Sequence, residues 1–89
     1  MTPAPDLDPH CASFVAASRD MPARELADTI RTACLRGLGH WQDPSPGGPI
    51  GRPATHLFEI AFYGVTASGT TAEEAARNWR RCALTLTKD

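Results

Sequence analysis

The sequence has no excess of charge of either sign. Nine basic residues stand against ten acidic ones, which leaves a formal net charge of −1 over 89 residues. Proteins that bind nucleic acid gain much of their affinity by neutralising phosphates with a surplus of lysine and arginine. We therefore expect a protein rather than nucleic acid as the partner.

Long apolar runs are also absent. No stretch approaches the roughly 20 consecutive apolar residues that span a bilayer, and residues 1–6 have neither the basic start nor the apolar centre of a secretory signal. The 42% apolar and 21% charged residues are typical of a globular protein. We expect one soluble, cytoplasmic domain over residues 1–89, without contact to a membrane, present as a monomer or a homodimer.

Cysteine is scarce and irregularly placed. Cys11, Cys34 and Cys82 are an odd number and lie far apart, unlike the paired sets of secreted disulfide proteins. Each lies on the apolar side of a predicted helix, so we interpret all three as buried thiols. A zinc site built with the three histidines is the alternative, but no CxxC or HxxxH spacing favours it. We expect neither a metal nor a cofactor.

Motifs for catalysis are missing as well. Residues 45–51 are rich in glycine but lack the lysine–serine ending of a phosphate-binding loop, and their prolines remove amide donors. His56 and Glu59 fall on opposite faces of a predicted strand, so they do not form a catalytic pair. We therefore expect that the protein is not an enzyme.

Two helices are predicted in the first half of the chain, after a flexible tail at residues 1–7. Asp8-Pro9 and Asp20-Met21-Pro22 are typical of helix starts, with an acidic N-cap near a proline. The first helix, over residues 10–18, has one apolar side. The second has an apolar stripe at i, i+4, i+7, i+8 and i+11, formed by Leu26, Ile30, Ala33, Cys34 and Gly37. Gly37 and Gly39 are expected to end it.

The centre of the chain predicts strands around a loop. A short strand is expected at residues 38–42, and residues 43–55 form a loop because proline and glycine dominate them. Apolar and polar residues alternate over residues 56–63, which predicts a strand with Phe58, Ile60 and Phe62 toward the core. A turn at Gly64 leads into a further strand at residues 65–68.

The last segment predicts a helix with a capping box at its start. Either Thr70 with Glu73 or Thr71 with Glu74 satisfies the pattern. The predicted apolar stripe consists of Ala75, Trp79, Cys82, Ala83 and Leu86. The fold class is therefore α+β, with two N-terminal helices, a small antiparallel sheet of two or three strands, and a C-terminal helix packed on the sheet.

Four residues are candidates for partner binding. Arg77, Arg80 and Arg81 lie away from the apolar stripe of the last helix, and only Arg77 has a carboxylate, Glu73, at helical spacing. An acidic partner surface would offset the repulsion between these arginines. Trp41 precedes the proline-rich loop and belongs to no predicted stripe. It either caps the core or anchors an interface, a role in which tryptophan is enriched.

The stretch FEIAFYGVTASGTTAEEAARN, residues 58–78, resembles the HicB-like antitoxin half-domain. In that family, strands are followed by a helix, and the resemblance implies binding to a small toxin ribonuclease. The α-β-β-β-α order is also similar to the double-stranded-RNA-binding domain. That family has basic residues at the start of its last helix, where this sequence has Ala72, Glu73 and Glu74, so the charge argues against RNA binding.

The whole chain is similar to small phage and prophage proteins, which are short, nearly neutral and without a catalytic set. Many of these proteins bind and block a host machine, as the anti-CRISPR inhibitors do. The resemblance implies a non-enzymatic inhibitor that docks on a host defence complex. An antitoxin-like partner of a ribonuclease is the alternative.

Overall fold

The computed structural model describes residues 9–45 and 56–87, and these form an α+β fold. The elements are α1 (Cys11–Ser18), α2 (Ala23–Leu35), β1 (Gly39–Gln42), β2 (Phe58–Phe62), β3 (Val65–Gly69) and α3 (Ala72–Thr87). The strands form one antiparallel sheet in the order β1-β2-β3, and α3 packs on it. The predicted fold class is confirmed. The expected tail at residues 1–7 and residues 46–55 of the expected loop lie outside the described residues.

The ends of α2 differ in part from the prediction. Asp20 does not cap the helix, because the chain is still in the turn that follows α1, where the Met21 amide donates to the carbonyl of Ser18 (3.0 Å). Pro22 is the N-cap, and it has no side-chain acceptor. At the other end, Gly37 has φ +86°. Its amide donates to the carbonyl of Cys34, and the next amide, of Leu38, donates to that of Ala33, which is the Schellman arrangement.

Gly39 has another role than the predicted one of ending α2. It is the first residue of β1 and lies so close to β2 that an added Cβ would be 2.7 Å from the carbonyl oxygen of Ala61. Only glycine lets the strand start directly beneath the end of the helix.

A two-residue turn joins β2 to β3 at Tyr63 and Gly64. Both residues have positive φ, 51° and 79°, as the type I′ hairpin turn requires. The register places Phe62 opposite Val65 and Ile60 opposite Ala67. Side chains of directly opposed residues share a face, so this register gathers apolar side chains on the face that the helices cover.

Two threonines and a glutamate fix the start of α3. The Glu74 amide donates to Oγ1 of Thr71 (3.0 Å), while the Glu74 carboxylate accepts from the amide (3.0 Å) and the hydroxyl (3.3 Å) of Thr70. Of the two predicted capping boxes, the one with Thr71 and Glu74 is formed in one half: the Thr71 hydroxyl caps the Glu74 amide, but the Glu74 carboxylate binds Thr70 instead of the Thr71 amide.

Trp79 lies at the centre of the core. It is fully buried, and its indole Nε1 donates to the carbonyl oxygen of Phe62 at 3.0 Å. The ring of Phe14 contacts the rings of Phe62 and Trp79 edge-on, with centroids 5.1 and 5.5 Å apart. Three elements, α1, β2 and α3, therefore meet in one aromatic cluster.

The predicted stripe of α3 is wrong for two of its members. Cys82 is exposed and Leu86 is 51% exposed, whereas Ala76, which the prediction left out, is fully buried. The buried positions are Ala75, Ala76, Trp79 and Ala83. The helix is thus rotated toward Ala76, and this moves Cys82 to a flank beside β3 and Arg80 to the flank that faces the turn between α1 and α2.

Candidate partner-binding groove

Four arginines line a groove of about 1100 Å³ between α3 and the end of α1. They are Arg19, Arg77, Arg80 and Arg81. The rest of its lining is Glu74, Asn78, Leu84, Thr85 and Thr87. We call this surface the arginine groove.

The fold brings Arg19 to the groove from the C-cap of α1. No sequence pattern links it to the arginines of α3, because it lies some 60 positions before them and has no helical spacing to them. Its one signal is that it directly follows Ser18, the last buried residue of α1. A residue just past a buried helix terminus lies next to whatever that terminus packs against.

Arg80 is partly buried and is bound within the fold. Its Nη1 donates to the carbonyl oxygen of Ser18 (2.8 Å) and to that of Met21 (2.7 Å). Helical spacing gives Arg80 no carboxylate partner within α3, and the fold provides these two carbonyl acceptors instead. The guanidinium thus binds one carbonyl at the C-terminal end of α1, where the helix dipole is negative, and one in the turn that follows.

Arg81 is exposed, but a relay of two hydrogen bonds restricts its direction. Its Nη2 donates to Oδ1 of Asn78 (2.7 Å), and Nδ2 of Asn78 donates to the carbonyl oxygen of Ser68 on β3 (2.8 Å). The sheet therefore positions Asn78, which in turn positions one edge of the Arg81 guanidinium. The other edge remains for a ligand, because guanidinium has five N–H donors.

Arg77 and Arg19 are the exposed, uncommitted cations of the groove. Within residues 9–45 and 56–87, neither side chain makes a hydrogen bond or an ion pair, and the predicted pair between Arg77 and Glu73 is not formed. Arg77 projects from the face of α3 opposite the core. Both side chains are free to reach an incoming carboxylate.

The groove carries a local positive charge in a chain whose net charge is −1. Four guanidiniums face one carboxylate, that of Glu74. Thr70 holds both oxygens of that carboxylate, so Glu74 is directed toward the start of the helix. Charges within about 8 Å of each other are only partly screened at physiological salt, so we expect this face to be more positive than the chain as a whole.

Trp41, the fourth candidate, is not brought to the arginine groove. It lies on β1, whereas α3 packs mainly against β3 at the opposite edge of the sheet. Trp41 stands opposite Ile60, so its ring is on the core face, partly buried and 6.1 Å from the ring of Phe58. Its Nε1 donates to Oδ1 of Asp43 (3.0 Å). This placement favours the interpretation that Trp41 caps the core over the interpretation that it anchors an interface.

The cysteines divide into two classes. Cys11 and Cys34 are buried as predicted, and burial raises the pKa of the Cys34 thiol because the thiolate would lose its solvation. Cys82 is exposed, which corrects its prediction as a buried thiol. Across the described residues, no group of three or more histidine, cysteine, aspartate or glutamate side chains is arranged to hold a metal ion. No helix among them is long and apolar enough to cross a membrane.

Comparison of the chain with protein-family models, with curated proteins and with solved structures gives no match.

Proposed function

We propose that the chain is a non-enzymatic binding protein whose arginine groove docks on an acidic surface of a partner protein. Within that class we propose an inhibitor of phage or mobile-element origin, of the anti-CRISPR type, which blocks a host defence complex in the cytoplasm. The alternative is a HicB-like antitoxin that neutralises a small ribonuclease.

The proposal rests on one observation: the arginines of the groove differ in whether the fold already binds their guanidinium groups. Arg80 is used by the fold, while Arg19 and Arg77 have no partner among the described residues and Arg81 is held by one edge only. Like charges side by side raise the energy of the free protein slightly. A partner that brings carboxylates relieves this repulsion and gains paired, charge-assisted hydrogen bonds.

A protein surface is favoured over a phosphate backbone. The chain as a whole is slightly acidic, and Glu73 and Glu74 are in the first turn of α3, beside the groove. A continuous nucleic-acid backbone would be repelled by these carboxylates. A protein surface presents its acids at separate points, which suits a small groove with an acidic border.

The experiment compares two charge reversals of equal size. Arg77→Glu changes the groove, and Arg24→Glu, on the exposed face of α2, is the matched control. Affinity capture from the host with the wild-type chain identifies the partner, which is then purified for surface binding kinetics. We expect Arg77→Glu to slow association about tenfold at low salt and Arg24→Glu to leave it nearly unchanged.

Two results would contradict the proposal. One is equal association of both variants with the partner. The other is submicromolar binding of an about 20-base-pair RNA duplex at physiological salt, measured by fluorescence anisotropy. The finer alternatives are separated by activity assays on the purified partner: inhibition of a defence nuclease complex supports the inhibitor, and inhibition of a small ribonuclease supports the antitoxin.

A further inference from the structure

The hairpin register determines which backbone groups of β1 face away from the sheet. The two-residue turn makes Phe62 and Val65 a hydrogen-bonded pair, so Phe62 and Ile60 direct their backbone groups to β3. Hydrogen-bonded and non-hydrogen-bonded pairs alternate along a strand, so the backbone groups of Ala61 and Glu59 point the other way, to β1. Their partners there are His40 and Gln42. Gly39 and Trp41 consequently direct their amides and carbonyls outward, beyond the described sheet.

The two edges of the sheet are protected differently. At the β3 edge, Asn78 of α3 donates to the outward carbonyl of Ser68, and α3 packs along the strand. The β1 edge is the sequence Gly-His-Trp-Gln, which contains no lysine, proline or bulge, the usual devices that keep an edge from pairing. Of the two edges in the described sheet, β1 is the one whose outward backbone groups receive no hydrogen bond from another described element.

A groove of about 190 Å³ runs between the β1 edge and the second half of α2. On the helix side it is lined by Arg31, Cys34 and Leu35. Leu35 is 79% exposed, the highest value among the large apolar side chains described. A strand added to β1 would cover this leucine, which the fold itself leaves in solvent.

We propose that β1 pairs with β1 of a second copy of this chain, antiparallel, about a twofold axis at His40. Gly39 then forms the hydrogen-bonded pair with Trp41 of the second copy, and the two sheets join into one of six strands. The twofold axis is perpendicular to the joined sheet, so both α2 helices lie on the same face and bring their Leu35 side chains toward each other.

Charge complementarity favours a second copy as the occupant. In this register the chain after β1, at Asp43, reaches the C-terminal end of the second copy's α2, where Arg36 is exposed. The twofold axis makes this pairing twice. A strand of unrelated sequence could pair with the outward backbone groups but would not match these charges, whereas a second copy provides both by symmetry.

The first test is the oligomeric state of the full chain by sedimentation equilibrium, from about 5 to about 500 µM. We expect the mean mass to rise from the 9.6 kDa of the monomer toward twice that value. His40→Lys places two lysines opposite each other at the axis and should weaken self-association about fivefold or more. Thr66→Lys is the matched control, because Thr66 lies in the same row and on the same face, but at the β3 edge.

The second test is amide hydrogen exchange at low and high protein concentration, which also serves if His40→Lys fails to fold. The amides of Gly39 and Trp41 should gain protection as concentration rises, while those of His40 and Gln42, paired with β2, should be protected throughout. A chain that stays monomeric at 500 µM, equal effects of the two lysine variants, or protection that does not alternate along β1 would each overturn the proposal. The outcome does not depend on the arginine groove, so it tests this edge alone.

Discussion

Nη1 of Arg80 donates a hydrogen bond of 2.8 Å to the carbonyl oxygen of Ser18, 62 positions earlier in the chain. The same nitrogen lies 2.7 Å from the carbonyl oxygen of Met21. One side chain of α3 thereby holds the turn between α1 and α2, where the backbone has left its own hydrogen-bonding pattern. Helical spacing groups Arg80 with the exposed arginines of α3, but its hydrogen bonds make it a structural residue.

Replacing Arg80 should destabilise the fold. Arg80→Met keeps much of the aliphatic length but removes the donor, and we expect it to cost about 1.5–3 kcal/mol, the range for hydrogen bonds from a charged group. Arg77→Met, on the same helix and without a partner among the described residues, should stay within about 0.5 kcal/mol of the wild type. Urea denaturation measures both. Equal stability of the two variants would contradict a structural role for Arg80.

Trp79 is the residue on which the core depends most. Trp79→Ala removes a fully buried side chain from the aromatic cluster and should cost about 3–5 kcal/mol, a large part of the roughly 5–15 kcal/mol by which native proteins are stable. Trp79→Phe keeps an aromatic ring but loses the bond to the Phe62 carbonyl, so its cost should be smaller. A melting temperature of Trp79→Ala within a degree or two of the wild type would show that the core is elsewhere.

The order of elements was predictable because each has a local signal. Alternation in β2, the threonine cap at Thr71 and the glycine after α2 act over a few residues, and the structure has all three. The rotation of α3 was not predictable in the same way. Alanine is compatible with a core or a surface, so sequence alone does not show whether Ala76 or Cys82 faces inward. The sheet and the turn after α1 determine that.

The same reason limits what sequence could say about the arginine groove. Three of its arginines are neighbours on one helix, and their proximity follows from helical spacing. Arg19 and the bond of Arg80 to Ser18 depend on how α1 packs beside α3, which no local pattern records. The placement of Trp41 on the core face likewise follows from the register of β1 with β2.

Replacement by alanine and by asparagine should destabilise the protein in opposite order at Gly37 and at Gly39. At Gly37 the space is open and only the positive φ is unfavourable, so asparagine, which tolerates this conformation, should cost less than alanine, about 1 kcal/mol against 1–2. At Gly39 a Cβ would meet Ala61 and Phe62, so the larger asparagine should be the worse of the two. Urea denaturation of the four variants measures the order, and the same order at both positions would contradict this assignment.

The thiols should react in two classes. Cys82 is exposed and should react rapidly with a thiol reagent such as dithionitrobenzoate, whereas Cys11 and Cys34 should wait for the protein to open. One rapid thiol per chain is the expected count, and Cys82→Ser should abolish it. Rapid reaction of two or more thiols in the native protein would contradict the burial of Cys11 and Cys34.

Cys34 should also make stability depend on alkaline pH. Burial raises the pKa of this thiol, so the folded protein keeps its proton at a pH where the unfolded chain, with an ordinary thiol pKa of about 8.5, has lost it. The unfolded state then binds fewer protons, and the free energy of unfolding falls as pH rises above about 8.5. Below that pH the contribution of the neutral thiol is complete.

Urea denaturation between about pH 7 and 10 should show that the free energy of unfolding declines less steeply with pH for Cys34→Ala than for the wild type. Cys82→Ala is the matched control, because it removes an exposed thiol and leaves the buried thiol of Cys34 in place. If Cys34→Ala declines as steeply as Cys82→Ala, the alkaline loss comes from other groups.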